Sequence, residues 1–396
     1  MKDQGHSLRL LILVQLFFWL RGGVIAPVLA LFFRSKGITV TEIGLLMMAR
    51  AAGWLIFEPL FGFFADKLGK KRLTLFSISA TSLVYLSFAS ADTTWHFYLA
   101  MFAMSSTMAA GAVSIRAILT EVIPASGRGR TYGRYMAIVS LGQITGPLLG
   151  GVLADTVGYV APFYAAAGIG IISFAALFPM EYHESPTERR TLHEGKSHRS
   201  GLLAKSFLGL LLIRMLYMFN MNFEQNTFPI FLHETERFSA SQTEIGVFMG
   251  ILRMASALSQ PSLGALADRI GAKKLIVSGL SIGGLTYLTV LYISGTLPIY
   301  VLAVVQGVFF GAAEICLMVH LMMIMPKGSS AKAMGVYGFA EDIGGIIASP
   351  LLGSVYDSMG PSFSIISISA IMVCDGVLSI FLVQKTKAKD SDTGTG

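Results

Sequence analysis

The sequence predicts an all-α membrane protein with twelve transmembrane helices in two pseudo-symmetric bundles of six. Three observations lead to this fold class: an apolar composition, twelve long apolar stretches and an internal repeat. Of the 396 residues, 54% are hydrophobic and 13% are charged, and the mean hydropathy is +0.66. A soluble domain averages about 25% charged residues, so most of this surface must face lipid.

Twelve apolar stretches are long enough to cross a bilayer, because about 20 helical residues span its roughly 30 Å of hydrocarbon. They are numbered here as helices 1 to 12 and cover 10–33, 42–61, 73–91, 96–121, 133–154, 160–180, 205–232, 244–263, 275–294, 298–325, 334–356 and 362–384. A polar segment separates helices 6 and 7. The chain is therefore expected to divide into an N-terminal bundle (1–180), a cytoplasmic linker (181–204) and a C-terminal bundle with a short cytoplasmic tail (205–396).

The junction between helices 2 and 3 recurs between helices 8 and 9. The segment Gly62-Phe-Phe-Ala-Asp66-Lys67-Leu-Gly69-Lys70-Lys71-Arg72 returns as Gly264-Ala-Leu-Ala-Asp268-Arg269-Ile-Gly271-Ala-Lys273-Lys274. Residues whose numbers differ by 202, as in these two segments, are called repeat equivalents. Over the stretch 41–73, about a third of the residues are identical to their repeat equivalents. A repeat of about half of an apolar chain is typical of transporters built from two parallel halves.

The lysines and arginines indicate which helix ends face the cytoplasm. With both termini inside, most of the 30 basic residues lie in cytoplasmic segments, whereas Arg34, Lys36 and Arg237 lie in outer loops. This bias is the positive-inside rule. We therefore expect a multi-pass protein of the cell (inner or plasma) membrane with cytoplasmic termini. The net charge of +7 reflects that topology, and we expect no nucleic-acid partner.

Other function classes lack their motifs in this sequence. It contains no phosphate-binding P-loop, no nucleophile elbow and no His-Glu-x-x-His zinc site, so neither an ATP-driven pump nor a membrane enzyme is expected. The two cysteines, Cys316 and Cys374, fall in predicted helices, and the histidines have no metal-ligand spacing. We expect no metal and no cofactor.

The residue types in the repeated loop have physical roles. Gly62 and Gly69 permit a tight turn and a close approach of helices, which a Cβ atom would obstruct. Asp66, at the cytoplasmic end of helix 2, can face the positive N-terminal end of a neighbouring helix. Lys67 and Lys71 are among the basic residues that hold the loop on the cytoplasmic side.

This pattern resembles motif A of the major facilitator superfamily, and the resemblance covers the whole chain. It implies the major facilitator fold, in which two bundles alternately open a central site to either side, and a role for the loops in closing the cytoplasmic side. Glu121 would pair with basic residues of the first loop, and Ala272 in place of Lys70 implies fewer charged contacts in the second. The implied cytoplasmic gate comprises Gly62, Asp66, Lys67, Gly69, Lys71, Glu121, Gly264, Asp268, Arg269, Gly271 and Lys273.

Helix 5 contains a ladder of glycines. Gly142, Gly146 and Gly150 recur every four residues, which places them on one face and favours close packing against another membrane helix. The full spacing resembles motif C of the family's proton-coupled antiporters and implies export; its positions are Gly133, Gly142, Gly146, Pro147, Gly150 and Gly151. A general packing face would explain the glycines as well. The Arg-x-x-Gln-Gly sequence that such antiporters often carry in helix 4 is missing here.

Charged residues inside the predicted helices are candidates for a substrate or proton pathway. A charge near the bilayer centre costs at least about 2.5–3.5 kcal/mol unless it faces a cavity or a partner. By the family resemblance, helices 1, 4, 7 and 10 line the cavity. The charged candidates are Arg21, Arg50, Arg116, Glu224, Arg253, Glu314 and Asp375, and the neutral Asn220 is added because it shares a helix face with Glu224. Four further charged residues lie nearer the cytoplasmic ends and are expected as gate or loop partners: Glu58, Arg214, Glu341 and Asp342.

Two interpretations of these charges remain open. Glu224 or Glu314 could bind and release protons as an arginine moves away or approaches. Alternatively, the charges form fixed pairs that hold helices together. The arginines could also bind an anionic substrate.

The sequence favours a monomeric secondary transporter that works by alternating access. The leading hypothesis is proton-coupled efflux, or antiport, of a small organic compound that is amphiphilic or anionic, with protons as the coupling ion. The same fold and charges would suit a proton symporter or a uniporter that imports a small organic anion. A remote alternative, from a different class, is a membrane sensor that transports nothing.

Overall fold

The computed structural model of the protein describes residues 2–122, 128–180, 182, 205–324 and 330–383, with side chains throughout except at 2–9, 66, 120, 122, 128–134, 205 and 330–332. Twelve helices run through these residues, and none of the described residues forms a β-strand. Each helix corresponds to one of the twelve apolar stretches, which confirms the all-α fold class.

The helices are numbered α1 to α12, and breaks within α1 and α7 do not start a new number. The first half contains α1 (Lys2–Ile25 and Leu29–Ser35), α2 (Val40–Leu68), α3 (Lys70–Ala89), α4 (Thr94–Val122), α5 (Arg128–Thr156) and α6 (Ala161–Leu177). The second half contains α7 (Lys205–Asn222, Phe223–Thr227 and Phe228–Glu234), α8 (Gln242–Ile270), α9 (Ala272–Thr289), α10 (Thr296–Ile324), α11 (Ser330–Met359) and α12 (Pro361–Leu382).

The breaks in α1 and α7 have local causes. Pro27 lies in the turn between the two segments of α1, where it cannot donate a backbone hydrogen bond. In α7 the middle segment, Phe223–Thr227, is π-helical. Single π-helical turns inside α-helices are often found at functional sites. Glu224, a candidate for the proton pathway, lies in this turn.

Eight helices are long and apolar enough to cross a membrane, judged by length and composition over the described residues. These spans are Leu10–Ser35, Val40–Ala65, Lys70–Ala89, Thr94–Leu119, Tyr135–Thr156, Ser206–Glu234, Thr296–Ile324 and Pro361–Leu382. The helix α6 is a shorter apolar helix, and α8, α9 and α11 are not among the spans found over the described residues. These three helices of the second half are the repeat counterparts of α2, α3 and α5, which do meet the criteria.

The internal repeat is visible in the helix boundaries. Both α2 and α8 have 29 residues, and their first residues, Val40 and Gln242, are repeat equivalents. They also start in the same way. Thr39 and Glu42 form a capping box before α2, and Ser241 and Glu244 exchange the equivalent hydrogen bonds before α8. A capping box satisfies N–H groups that have no partner inside the helix, so both halves encode the same helix start.

The contacts divide the chain into two compact units. The first comprises Met1–His193, Asn222–Gly250 and Gly345–Ser358, and the second comprises Glu194–Met221, Ile251–Gly344 and Met359–Gly396. The ends of α7 and α11 and the start of α8 therefore belong to the same unit as the first half. The division into bundles 1–180 and 205–396 stays a prediction, and nearly all of the linker 181–204 lies outside the described residues.

Aromatic rings fix the second segment of α1 within the first unit. The ring of Phe32 lies 4.9 Å from that of Phe163 on α6 and 5.8 Å from that of Phe97 on α4, between centroids. The ring of Phe33 lies 5.2 Å from Phe97. Such edge-on aromatic pairs are favourable beyond the area that they bury. They hold the end of α1, and with it Arg34, in a defined position.

Candidate functional site

The two repeated loops turn at equivalent glycines. Gly69 has φ of 86° and Gly271 has φ of 91°, in the region that favours glycine. The sequence also predicted that Gly62 permits a close approach of helices, and this expectation is wrong. A Cβ atom at Gly62 or at Gly264 would meet nothing within 4 Å, so neither glycine allows a close helix approach in this conformation.

Basic residues of the first loop bind the ends of α4 and α6. Lys70, which is almost fully buried, places its Nζ 2.5 Å from Oε1 of Glu121. The hydroxyl of Tyr182 donates to the other oxygen of Glu121. Lys71 donates to the carbonyl oxygens of Phe178 at 2.8 Å and Met180 at 2.6 Å. The expected pairing of Glu121 with a basic residue of this loop is therefore present.

The second loop has the carbonyl contact without the ion pair. Lys273, the repeat equivalent of Lys71, donates to the carbonyl oxygen of Ile380 at 2.5 Å near the end of α12. Ala272 replaces Lys70, which leaves no cation at that position. Asp268 and Arg269 are exposed.

The remaining gate positions are partly described. Lys67 is exposed, with its Nζ 4.9 Å from the centre of the Phe63 ring. The side chain of Asp66 lies outside the described residues. The role of the two loops as a cytoplasmic gate stays a prediction.

The glycine ladder of α5 packs against α1. A Cβ atom at Gly150 would lie 1.9 Å from the carbonyl oxygen of Val24, and one at Gly146 would lie 2.7 Å from Cα of Gly23. At Gly142 the nearest atoms, in the backbone of α1, would be 3.0 Å away. The two helices therefore meet backbone to backbone, as the four-residue spacing predicted. Gly133 falls in a stretch of α5 for which only the backbone is described.

The other two residues of the motif face α8. A Cβ atom at Gly151 would lie 2.2 Å from the carbonyl oxygen of Gln242. The carbonyl of Pro147 is the close neighbour of Gly246, where a Cβ atom would lie 2.3 Å away. The motif thus supplies two contact faces of α5, one toward α1 and one toward the start of α8.

Arg116 forms an ion pair with Glu58. The distance from Nη2 of Arg116 on α4 to Oε1 of Glu58 on α2 is 2.5 Å. The indole N–H of Trp54 donates to the other Glu58 oxygen at 2.6 Å. The pair joins two helices of the same half and balances both charges. In this conformation Arg116 has a structural partner, and its part in a pathway stays a prediction.

A second ion pair joins α7 to α11. Nη2 of Arg214 lies 2.7 Å from Oε1 of Glu341. The guanidinium also lies over the rings of Tyr217 and Tyr337, at 5.2 Å and 5.3 Å from their centres. The negative charge of Glu314 on α10 also acts on this guanidinium. Glu314 therefore belongs to the same charged cluster within the second unit.

Arg21 is fully buried inside the first half. Its Nη1 donates to the carbonyl oxygen of Ile78 at 3.3 Å, and its guanidinium lies 5.0 Å from the centre of the Phe18 ring. Its Nε and Nη2 have no hydrogen-bond partner among the described residues. Arg21 is 0% exposed, beside Ile78 of α3 and Gly170 of α6. It is therefore closed to solvent in this conformation, and its place in a pathway stays a prediction.

Asn220 and Glu224 are both buried in α7. The hydroxyl of Tyr287 on α9 donates to Oδ1 of Asn220 at 2.8 Å. Glu224 is 2% exposed and lies in the π-helical turn. Sequence analysis missed Tyr287, although the repeat offered a signal, since its repeat equivalent Tyr85 is also a buried tyrosine.

The remaining candidates differ in burial. Asp375 on α12 is fully buried, and neither carboxylate oxygen has a hydrogen-bond partner in the described part of the chain. Arg50 on α2, Arg253 on α8 and Glu314 are half-buried. An isolated buried carboxyl is costly to ionise, which makes Asp375 unusual among the acids described here.

Comparison with known proteins identifies the family. The sequence profile of the Major Facilitator Superfamily matches residues 11–228 and again 210–395. The chain belongs to this superfamily. The two matches cover the two halves of the repeat, and the protein is therefore a multi-pass membrane transporter rather than an enzyme.

Several relatives of this major facilitator protein are named for resistance to antibiotics. The chain is 26% identical to the class H tetracycline resistance protein of Pasteurella multocida over 363 residues, and this alignment covers 89% of each chain. It is 28% identical to the class E tetracycline resistance protein of Escherichia coli over 66% of both chains. It is 32% identical to the quinolone resistance protein NorA of Staphylococcus aureus over 38% of this chain and 39% of NorA.

Solved structures of the superfamily share the fold. A variant of the nucleoside transporter NupG aligns with a TM-score of 0.82 and 16% identity, over 96% of this chain and 100% of NupG. A bacterial homologue of the human lysosomal transporter Spinster aligns with a TM-score of 0.81 and 14% identity, over 96% and 97% of the two chains. At these identities, the likeness establishes the fold and no substrate.

Proposed function

We propose that this transporter exports a small organic compound, amphiphilic or anionic, in exchange for protons. The direction is supported by the relatives, which are named for resistance to tetracycline and to quinolones. A membrane transporter confers resistance by lowering the concentration of a drug inside the cell, so these names favour export. The antiporter-like spacing of glycines in α5 favours the same direction.

The buried carboxyl of Glu224 is the observation that carries the proposal of proton coupling. Glu224 is 2% exposed in a helix that is long and apolar enough to span the membrane. A carboxylate in such surroundings is stable only when it is protonated or close to a cation. A change in its surroundings during the transport cycle would therefore bind or release a proton. Glu314 and Asp375 are further candidates on the same pathway.

The substrate class rests on the half-buried arginines. Arg50 and Arg253 could bind an anionic group, because a guanidinium presents several donors in a plane. The 20 methionines and the 11% aromatic content suit an adaptable apolar cavity. An amphiphilic anion would use both features.

The proposed cycle is alternating access by a monomer with both termini in the cytoplasm. Its orientation rests on the distribution of lysine and arginine. The loops that contain Asp66 and Asp268 would close the cytoplasmic face. The Lys70–Glu121 pair would support the loop of the first half. The ion pairs Arg116–Glu58 and Arg214–Glu341 would then hold helices together rather than carry protons.

Proton flux in proteoliposomes tests the proposal. The purified protein is reconstituted with an internal pH-sensitive dye and exposed to tetracyclines, quinolones and organic anions. Glu224→Gln is compared with Glu236→Gln, the same change at an exposed loop position. We expect the parent and Glu236→Gln to move protons opposite to a substrate, and Glu224→Gln to lose this flux while it still binds the substrate.

Other outcomes distinguish the alternatives. Protons that move with the substrate would identify a symporter and overturn the export proposal. Substrate flux without protons would identify a uniporter. Binding without any flux would favour a sensor. Coupled flux that is unchanged in Glu224→Gln would assign the proton to another acid, with Glu314 and Asp375 as the next to test.

A further inference from the structure

We propose that Asp155 and Asp357 are gating residues that hold the predicted outer face closed, each by binding the N-terminus of a helix from the other half of the sequence. The two contacts are called the aspartate latches: Asp155 with Gln242 and Thr243, and Asp357 with Val40 and Thr41. The inference rests on the proposed transport cycle and orientation. All of these residues lie within the first unit.

The first latch joins the end of α5 to the start of α8. Oδ1 of Asp155 accepts the backbone N–H of Gln242 at 3.0 Å, and Oδ2 accepts that of Thr243 at 2.7 Å. The side-chain amide of Gln242 donates to the hydroxyl of Tyr159 at 3.2 Å. Burial, and secondly the charge of Asp155, raises the pKa of Tyr159 above its ordinary value, so this hydroxyl stays neutral.

The second latch joins the end of α11 to the start of α2. Oδ1 of Asp357 accepts the backbone N–H of Val40 at 3.3 Å, and Oδ2 accepts that of Thr41 at 2.6 Å. The hydroxyl of Thr41 donates to Oδ2 as well, at 2.6 Å. Asp357 is the repeat equivalent of Asp155. The same carboxylate therefore binds the same pair of helix N–H groups in each copy of the repeat.

The chemistry of each latch is favourable. The first N–H groups of a helix have no partner within it, and the helix dipole makes that end positive. A carboxylate with two oxygens satisfies two such groups at once and is a stronger acceptor than a neutral one. In the closed arrangement, each aspartate completes the N-terminus of a helix that is distant in sequence.

Close backbone contact beneath each latch makes the arrangement specific. A Cβ atom at Gly151 would lie 2.2 Å from the carbonyl oxygen of Gln242, and one at Gly353 would lie 2.4 Å from that of Val40. The carboxylates of Asp155 and Asp357 follow one helical turn later. Glycine thus lets the helices approach until the carboxylate reaches the N–H groups. A small separation of the helices would break both hydrogen bonds of a latch together.

A further ion pair closes the same face. Nε of Arg34, at the end of α1, lies 2.5 Å from Oε1 of Glu234 at the end of α7. The hydroxyl of Tyr356, the neighbour of Asp357, donates to the other Glu234 oxygen at 3.1 Å. This network is independent of the repeat, and it joins the ends of α1 and α7 to the end of α11, which carries the second latch.

The latches suit a gate that must open and close. Alternating access would require α5 to leave α8 and α2 to leave α11 at this face. Both aspartates are already exposed to solvent in the closed arrangement. On opening, water would replace the hydrogen bonds between the two carboxylates and the four N–H groups. The difference between closed and open states is then small enough for substrate binding to reverse it. The aspartates position the helices and need not touch the substrate.

Distance measurements between spin labels test the latches. Labels are attached to cysteines at the exposed positions Val157 and Glu236, in a background in which Cys316 and Cys374 are replaced by serine. The parent is compared with Asp155→Ala, with Asp357→Ala and with the double variant. Asp92→Ala is the matched control, because Asp92 is a highly exposed acid whose ion pair with Lys36 spans 3.5 Å.

We expect each single variant to lower the ratio of closed to open molecules about two- to fivefold, since that is the usual contribution of an exposed carboxylate at a helix N-terminus. The double variant is expected to be mostly open, and Asp92→Ala to match the parent. A double variant whose distances are unchanged overturns the proposal.

A second pair of variants keeps the test decisive. If the alanine variants aggregate, Asp155→Asn and Asp357→Asn keep the side-chain shape and remove the charge and one acceptor, and a smaller shift in the same direction is expected. Unchanged distances in both asparagine variants would again overturn the latches. The measurement needs neither substrate nor proton gradient, so its failure leaves the efflux proposal intact, and a failure of proton coupling leaves the latches intact.

Discussion

The two repeated loops make the same backbone contact and differ in charge. Lys71 and Lys273 each donate to carbonyl oxygens at the end of the last helix of their half. The first loop adds the partly buried pair of Lys70 and Glu121, whereas the second has Ala272 at the equivalent position. The carbonyl contact is therefore the element that both copies share, and the ion pair distinguishes the first half.

The glycine ladders differ in a similar way. In α5, Gly142, Gly146 and Gly150 all contact α1 closely. At the equivalent positions of α11, the second half keeps Gly344 but has Ala348 and Leu352, both buried. Contact between backbones is thus required along the whole ladder of the first half and at only part of the second. Four groups of predictions test differences between the two halves, and the groups are ordered by the largest effect expected in each.

Gly150→Ala should lower the free energy of unfolding by about 3 kcal/mol or more, because overpacking costs about 1–3 kcal/mol even where neighbours can move. The added Cβ atom would lie 1.9 Å from the backbone oxygen of Val24, which cannot rotate away. Thermal unfolding in detergent measures the effect.

Gly62→Ala is the control for this change, since its Cβ atom meets nothing within 4 Å. It should be neutral or should stabilise α2 by up to about 1 kcal/mol through helix propensity. Equal destabilisation by both substitutions would contradict the packing account of the ladder.

Arg21→Met should raise the free energy of unfolding by about 2 kcal/mol, because replacing buried charge by apolar volume is often stabilising. Two of the guanidinium nitrogens of Arg21 have no described partner, so little hydrogen bonding is lost. Thermal unfolding and transport are measured together. A stable variant without transport would place Arg21 in the pathway, whereas full transport would leave it a structural residue.

Asp375→Asn is the counterpart in the second half. Asp375 is also fully buried, and its carboxylate oxygens lack described partners. The neutral isostere should leave the thermal stability within about 1 kcal/mol of the parent. A loss of proton flux at unchanged stability would show that the two halves contribute different charges to the pathway.

Lys70→Ala should lower the free energy of unfolding by about 1–2 kcal/mol, since it leaves Glu121 without its cation in a partly buried site. Lys67→Ala, at an exposed position of the same loop, is the control and should change it by less than about 1 kcal/mol. Thermal unfolding again provides the comparison.

Ala272→Lys combined with Met323→Glu sharpens the same comparison, because it places the charges of Lys70 and Glu121 at the equivalent positions of the second loop. The change in the free energy of unfolding of the double variant should be more favourable than the sum of the changes in its two single variants. Additive effects would mean that the second loop cannot form the pair.

Tyr287→Phe should lower the free energy of unfolding by about 1 kcal/mol, the usual net value of one buried hydrogen bond. It removes the donor to Asn220, whose Nδ2 already lacks a described partner. Tyr85→Phe, at the equivalent position, loses only a 3.8 Å contact with the sulfur of Met108 and should have a smaller effect. A larger loss of stability in Tyr85→Phe than in Tyr287→Phe would contradict the prediction.

The sequence by itself determined the fold class, the repeat and the helix spacing. Apolar length dictates where a chain can span a bilayer, and the recurrence of Gly69 at Gly271 marks equivalent turns. The ladder of Gly142, Gly146 and Gly150 also follows from sequence, since a four-residue period places small residues on one helix face. These properties are local, so they can be read along a single chain.

The tertiary structure alone decided which groups meet. Arg116 pairs with Glu58, and Arg21 is enclosed within the first half, although sequence placed both arginines among pathway candidates. Asp155 and Asp357 are repeat equivalents, which the sequence shows. The sequence does not show which groups these two aspartates bind, because that depends on which helix packs beside them. Distances between residues far apart in sequence depend on how helices pack, and periodicity carries no information about that.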